Sequence, residues 1–567
     1  MGGASSCSHG DIHLFATQVA GTVTVNGAAF TGSTDQERAS LVLRNAADDS
    51  APLTSITVGD GSYSALIAPG SYDLYYQHSG PSVALPGNDF AVLQPGIVVG
   101  TEPLSLDIDV PVATITGTLT IAGKVFSDPT GDSGALLDLV SATSGRARLA
   151  AIPSDGGSFA ALVIAGSYDA VYGRVAGSAL PANYYEMVRN GIVVDRGAKR
   201  SLDIDIPSTT VTVSLTVNGA PATNQAYLIL RHAPDQLFLE QMAPGTNSYF
   251  ARAVPGDRYD LLYTGIDLAP NALLNYNALL QTGIEIGSAP VSLAVDVAAT
   301  VVSGKVTLNG APLPLPERGS LYLSTPAGDR VPLVAKDGSY SALVVPDTYD
   351  VYFEGASALI ANLPTSNIQL QKGVVIGASP VTLDIQIPMP TLVSGKLTVN
   401  SAAIKGNHQY TLSVADSIHN QTLLAIAPTG DSYSALVFPG TYAVFFGTRE
   451  DGVDLPHNDG APIKTGIVVG TSPLTLDIDI PGATLSGVVT VNGELRSDTL
   501  AHLAGAHFGI HFANNLGSTQ IANRLGDAGS YTSFLVPETY ELRYGTDGKG
   551  HGLPSNHNLA LGCLIVE

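Results

Sequence analysis

The chain has 567 residues, 45% of them hydrophobic and only 13% charged, with 61 glycines and 35 prolines. That profile excludes a disordered chain and fits a turn-rich all-β protein of several domains. Its 49 acidic residues against 26 basic ones, a net charge of −23, exclude nucleic acid and anionic membrane as partners.

The N-terminus shows no basic segment followed by an apolar one, so no export leader is visible. Residues 10–15, Gly10-Asp11-Ile12-His13-Leu14-Phe15, read as a short strand with Ile12 and Leu14 on one face. A turn of the Val-Asn-Gly kind then starts a pattern that recurs every 91–96 residues, at Asn26, Ala122, Asn218, Asn309, Asn400 and Asn492. Fixed self-similarity of this length means tandem domains. Asn-Gly turns the chain because both residues tolerate positive φ.

After each turn come a variable strand pair and a Ser-Tyr strand, as at Ser62-Tyr63 and Ser530-Tyr531. A Pro-Gly-like turn leads into a Tyr-Asp-Val-Tyr-like strand, as at Tyr72–Tyr75 and Tyr349–Tyr352. A Leu-Pro-x-Asn loop follows at Leu85–Asn88, Leu180–Asn183, Leu455–Asn458 and Leu553–Asn556. Each repeat closes with a Gly-Ile-Val-Val strand and a strand of the type Leu476-Asp477-Ile478-Asp479-Ile480-Pro481. About seven short strands in ~90 residues is the content of a β-sandwich. The expected architecture is six Ig-like or prealbumin-like sandwiches in an elongated rod, joined by almost no linker. The bounds are 16–112, 113–208, 209–299, 300–390, 391–483 and 484–567, after a donor segment at 1–15. No apolar run approaches the ~18 residues of a membrane span.

The order Ser-Gly-x-Val-Thr-Val-Asn-Gly, Gly-Ser-Tyr-Ser-Ala-Leu-Val-x-Pro-Gly-x-Tyr-Asp-Val-Tyr and Leu-Asp-Ile resembles the carboxypeptidase regulatory-like repeats of bacterial surface and secreted proteins. The resemblance covers nearly the whole chain. It implies extracellular, non-catalytic modules, and no metallopeptidase domain accompanies them.

Aligned on the turn, Asp11 matches Asp107, Ile12 matches Ile108, Leu14 matches Val110, and His13 stands where Asp109 stands. The last repeat reaches Leu564, Ile565 and Val566 and stops before a strand of this type. The spare strand and the missing strand are the same element. The expectation is head-to-tail donation, with Asp11, Ile12, His13, Leu14 and Phe15 completing the last repeat of the next copy along an edge at Leu564, Ile565 and Val566. A heterologous contact of this kind propagates into a filament.

The only two cysteines sharpen this expectation. In the frame of the first repeat Cys563 falls at Ile97 and Cys7 at Pro103, either side of a turn centred on Gly100. A tight hairpin there would oppose them and permit an intersubunit disulfide in an oxidising compartment. Cys7 also has a reading as a cell-surface anchor, and the rival function is a monomeric stalk or adhesin with a ligand-binding last repeat.

The paired carboxylates at i, i+2 supply too few oxygens for calcium and read as a solvated face. Seven of the 12 histidines, His9, His13, His502, His507, His511, His551 and His557, sit at the two ends that would meet. His507 and His511 share a strand face and are the candidates for metal or pH sensitivity. Gly131-Asp132-Ser133-Gly134 reads as a turn. CxxC, HExxH and phosphate-loop motifs are absent, so the expectation is a protein without cofactor or enzymatic activity.

Overall fold

The structure is a computed structural model. It describes every residue except 1–9, 31–38, 46–49, 56–60, 79–84, 126–133, 153–156, 177–178, 222–225, 233–234, 242–246, 266–272, 314–318, 356–362, 365–366, 405–409, 417–421, 427–431, 449–454, 496–505, 513–517, 523–529 and 547–553. Cys7, His9, His502, His551 and the stretch 131–133 therefore lie outside the described residues. Every element of the described chain is a strand, and the protein is all-β, a tandem array of sandwiches.

One strand leads each recurring set: Thr17–Val25, Val112–Ile121, Thr209–Val217, Thr300–Leu308, Thr391–Val399 and Ala483–Val491. Threonine and valine alternate along them, one face buried and one wet. The turn residue after each holds positive φ, from 50° at Ala122 to 52° at Asn492. In the first sheet the lead strand is central. The Ser-Tyr strand runs antiparallel on one side, Thr17 opposite Ile67, and the closing strand runs parallel on the other, Ile108 opposite Val23.

The second sheet holds the variable pair, the Tyr strand and the Gly-Ile-Val-Val strand, in the order Ser50–Ser55, Ala39–Arg44, Gly70–His78, Ala91–Val99. The two inner faces meet in cores built on Leu41, Leu43, Tyr72, Tyr76 and their counterparts. In the first sandwich the Gly-Ile-Val-Val strand is an outer edge. A glycine bulge blunts it, with Gly96 at φ 70° and its N–H donating to Asp73. The same device recurs at Gly191 with Asp169, Gly283 with Asp260 and Gly373 with Asp350. A bulged edge is a poor template for stray strands.

Two expectations change here. The Gly-Ile-Val-Val strand and the closing strand do not form a hairpin. Ala91–Val99 pairs with Gly70–His78 in one sheet, while Leu104–Ser105 pairs with the lead strand in the other. The residues 100–103 switch sheets, so opposition of positions 97 and 103 across adjacent strands is not the geometry. Nor is the array the elongated rod expected: its last sandwich hydrogen-bonds to its first, Asn556 to Ala68 and Ser555 to Leu66.

Candidate functional site

The closing strand carries the chemistry by which the two ends of the chain meet. In the first sandwich it breaks between Ser105 and Ile108. The break lets the Leu106 carbonyl turn in, where it accepts a hydrogen bond from the Tyr63 hydroxyl at 2.7 Å. Gly21 lies directly beneath, and any Cβ there would collide with Leu106 O. Gly117, Gly304 and Gly395 lie the same way under Leu202, Leu383 and Leu476. Where the lead strand carries Val213 instead, the closing strand runs unbroken from Val291 to Val297. The glycine and the break go together.

The aspartates are not a free solvated face. Asp107 Oδ1 accepts from Thr22 N at 2.9 Å and from Thr22 Oγ1 at 2.8 Å. Asp109 Oδ1 accepts from Thr24 Oγ1 at 2.8 Å and from the turn amide of Gly27 at 2.6 Å. Hydrogen bonds from Thr22, Thr118, Thr216 and Thr398 hold Asp107, Asp203, Asp296 and Asp479 below the ordinary carboxylate range. The sequence signal that could have found this is the Thr-x-Thr of the lead strand facing Asp-x-Asp.

The N-terminal segment reproduces this construction on the last sandwich, within the one chain. Ile12, His13 and Leu14 run parallel to Val489, Thr490 and Val491. That is the register of Ile108, Asp109 and Val110 on Val23, Thr24 and Val25. Asn492 N donates to Leu14 O at 2.9 Å, as Asn26 N donates to Val110 O at 3.1 Å. The Asn492 amide brackets Ala16, accepting from its N–H and donating to its carbonyl at 2.9 and 3.0 Å. Asp11 Oδ1 accepts from Val488 N at 3.1 Å. Gly10 takes the place of Leu106, over Gly487, and its carbonyl accepts from the Tyr531 hydroxyl. Burial, with the Asp11 carboxylate nearby, pushes the Tyr531 hydroxyl up, so it remains a donor.

Ile12 and Leu14 are buried at 2% and 0% exposure in one core with Leu564 and Val566. Burying the pair contributes about 3–6 kcal/mol before the entropy of ordering the segment. Phe15 points out, 55% exposed, and the strand proper is Ile12–Leu14. His13 replaces aspartate and places Nδ1 2.8 Å from Thr490 Oγ1. The acceptor edge is corrected. It is the lead strand, Val489–Val491, whereas Leu564, Ile565 and Val566 pair with Tyr540, Thr539 and Glu538. Closing strands cross to the lead strand's sheet, so the edge beside residue 565 is not where one goes.

Cys563 lies on the strand Leu559–Val566, opposite Glu541. His507 and His511 lie on Ala506–Phe512, opposite Gly545 and Glu541. Among the described residues no group of three or more His, Cys, Asp or Glu is placed to hold a metal ion.

A second contact also spans the ends. Sequence reading placed the Leu-Pro-x-Asn asparagines in loops and assigned them nothing. All four are fully buried, Asn88, Asn183 and Asn458 between successive sandwiches and Asn556 between the last and the first. Asn88 accepts from Ile164 N at 2.8 Å and donates to the Tyr168 hydroxyl at 2.8 Å. Asn183 does the same with Val254 and Tyr259, and Asn458 with Val536 and Tyr540. Asn275, which the motif missed because Leu273-Leu274 precedes it in place of Pro-x, bonds Val345 and Tyr349. Asn556 makes the pair with Ala68 N at 3.0 Å and the Tyr72 hydroxyl at 3.2 Å. At the remaining contact Phe438 packs edge-on against Phe353 at 6.2 Å instead.

No family model matches the chain, that of the carboxypeptidase regulatory-like repeats included, and no curated protein matches it. Solved structures overlap it at low similarity. The Bacillus anthracis TIE protein is 8% identical over 65% of this chain and 74% of its own, with a TM-score of 0.15. The streptococcal ancillary pilin is 11% identical over 48% and 98%, with a TM-score of 0.18. BcpA, the major pilin subunit of Bacillus cereus, is 9% identical over 65% and 99%, with a TM-score of 0.14. Overlaps at this level assign no family. Among the described residues no helix is long and apolar enough to cross a membrane.

Proposed function

We propose that this protein is the structural subunit of an extracellular filament, six sandwich repeats long, with the bounds given above. Copies join head to tail when the segment around residues 10–15 completes the last repeat of the next copy. The observation that carries this reading is the seating of Ile12–Leu14 along Val489–Val491 in the register of the internal closing strands. A contact between the two ends of one chain can be made identically between two copies, by exchange of the strand. A Cys7–Cys563 disulfide would lock the joint in an oxidising compartment. In support, Cys7 lies three residues before the seated segment, Cys563 belongs to the sandwich that receives it, and among the described residues no cysteine is free.

The deciding experiment removes residues 1–15. Wild-type protein under oxidising conditions should form fibres in negative stain and a ladder on non-reducing gels that thiols collapse. The truncated protein should do neither, and fibres from it would defeat strand donation. A second reading has its own observation, since the joint is made here within one chain: a monomeric surface protein closed end to end. Monodisperse monomer in light scattering under the same conditions would favour it.

A further inference from the structure

The seated strand accounts for only half of what joins the two ends. The loop Ser555–His557 lies on the end face of the first sandwich. Ser555 N donates to Leu66 O and His557 N to Ser50 O, each at 2.8 Å. Asn556, wholly buried, takes Ala68 N and the Tyr72 hydroxyl. None of these residues belongs to the strand or to the groove that receives it.

We infer that the end face formed by Ser50, Leu66, Ala68 and Tyr72 is an interaction surface for a second copy of this chain, which it grips by the Ser555–His557 loop. The inference rests on the strand-donation reading and gives it a second, independent point of attachment. The occupant follows from what the face already holds and from its likeness to the internal contacts. Gly87 N to Leu162 O and His457 N to Phe534 O repeat the Ser555 contact, and Asn88 and Asn458 repeat the Asn556 pair. Those loops are spent on the sandwich that follows them in the chain. The loop at residue 556 instead meets residues 68 and 72, which no short linker ties to it. The surface is therefore cut for this protein's own loop.

Tethering supplies the test. A contact between neighbours in one chain is held at high effective concentration and tolerates a weakened latch, whereas a contact between chains does not. Asn556→Ala should raise the protein concentration needed for polymer, followed by sedimentation velocity, by about ten- to a hundredfold, the cost of two buried hydrogen bonds. Asn88→Ala removes the same bonds at a tethered contact and should leave that concentration within about twofold. Tyr72→Phe keeps the ring's shape and should shift it in the direction of Asn556→Ala, so a folding defect in one variant does not decide the matter. Equal assembly by the Asn556 and Asn88 variants overturns the inference while leaving strand donation intact. Polymer from protein lacking residues 1–15 that Asn556→Ala abolishes keeps this surface and removes strand donation. A wild type that stays monomeric at every concentration overturns both, and the loop is then a lock within its own chain.

Discussion

Ala122 holds φ at 50°, a conformation its Cβ resists, at a turn where the other lead strands place asparagine. Those asparagines do more than tolerate the angle. Asn26 accepts from Val112 N and donates to Val112 O, both at 2.9 Å, and Asn218 and Asn400 bracket Ala299 and Gly482 in the same way. Each clamps the residue two past its closing strand, and for Ala122 that residue is Ser208. Ala122→Asn should therefore stabilise the protein by about 1–2 kcal/mol, part from the relieved backbone and part from the new amide pair. The checks are the denaturant midpoint and amide exchange at Ser208, and unchanged protection there would contradict the account. The turn itself was legible in the sequence, because Asn-Gly has few other uses. The clamp was not, since it joins residues some 80 positions apart and leaves no local pattern. The aspartates were half legible for the same reason. Alternation assigns them to the outer face, but only the parallel neighbour reveals the Thr22 and Thr24 hydroxyls waiting there.

At the scale of elements, the closing strand is defined by the glycine under it. Gly21, Gly117, Gly304, Gly395 and Gly487 each leave room for one carbonyl, and Val213 shows the unbroken strand that results without the glycine. Gly487 is the informative member, because its carbonyl comes from Gly10 rather than from a closing strand later in its own sandwich. Gly487→Ala should keep residues 10–14 from seating, at a cost of about 2–4 kcal/mol, while leaving the pairing of Ala483–Val491 with Ser530–Leu535 in place. Amide exchange separates the two. Ile12 and Leu14 should lose protection and Tyr531 should keep its own. Retained protection at Ile12 would mean that the glycine is not what admits the strand. Matching the N-terminal segment to the closing strands needed only the sequence, down to His13 in the place of Asp109. Its partner strand was misjudged. The order of strands along the chain suggests a hairpin at residue 100, and only the switch between sheets puts the closing strand beside the lead strand.

For the whole molecule, the question is whether the joint closes one chain or links many. In this structure the last sandwich meets the first through Asn556, and residues 12–14 pair along the last sandwich's lead strand. Such an array can satisfy its ends alone or with a neighbour, and the choice depends on concentration. Both outcomes bury the same strand and the same loop, so they differ little in energy per joint. Closure costs whatever bending the array resists, and linkage costs the freedom of the second copy. Reduced, unfolded protein refolded at rising concentration and then oxidised should pass from monomer without free thiols to a ladder without free thiols. Light scattering gives the mass and thiol titration gives the cysteine count on the same samples. Monomer that keeps both thiols at every concentration would rule out Cys7–Cys563 in either arrangement. A ladder whose proportion ignores concentration would mean that the ends never meet within one chain in solution.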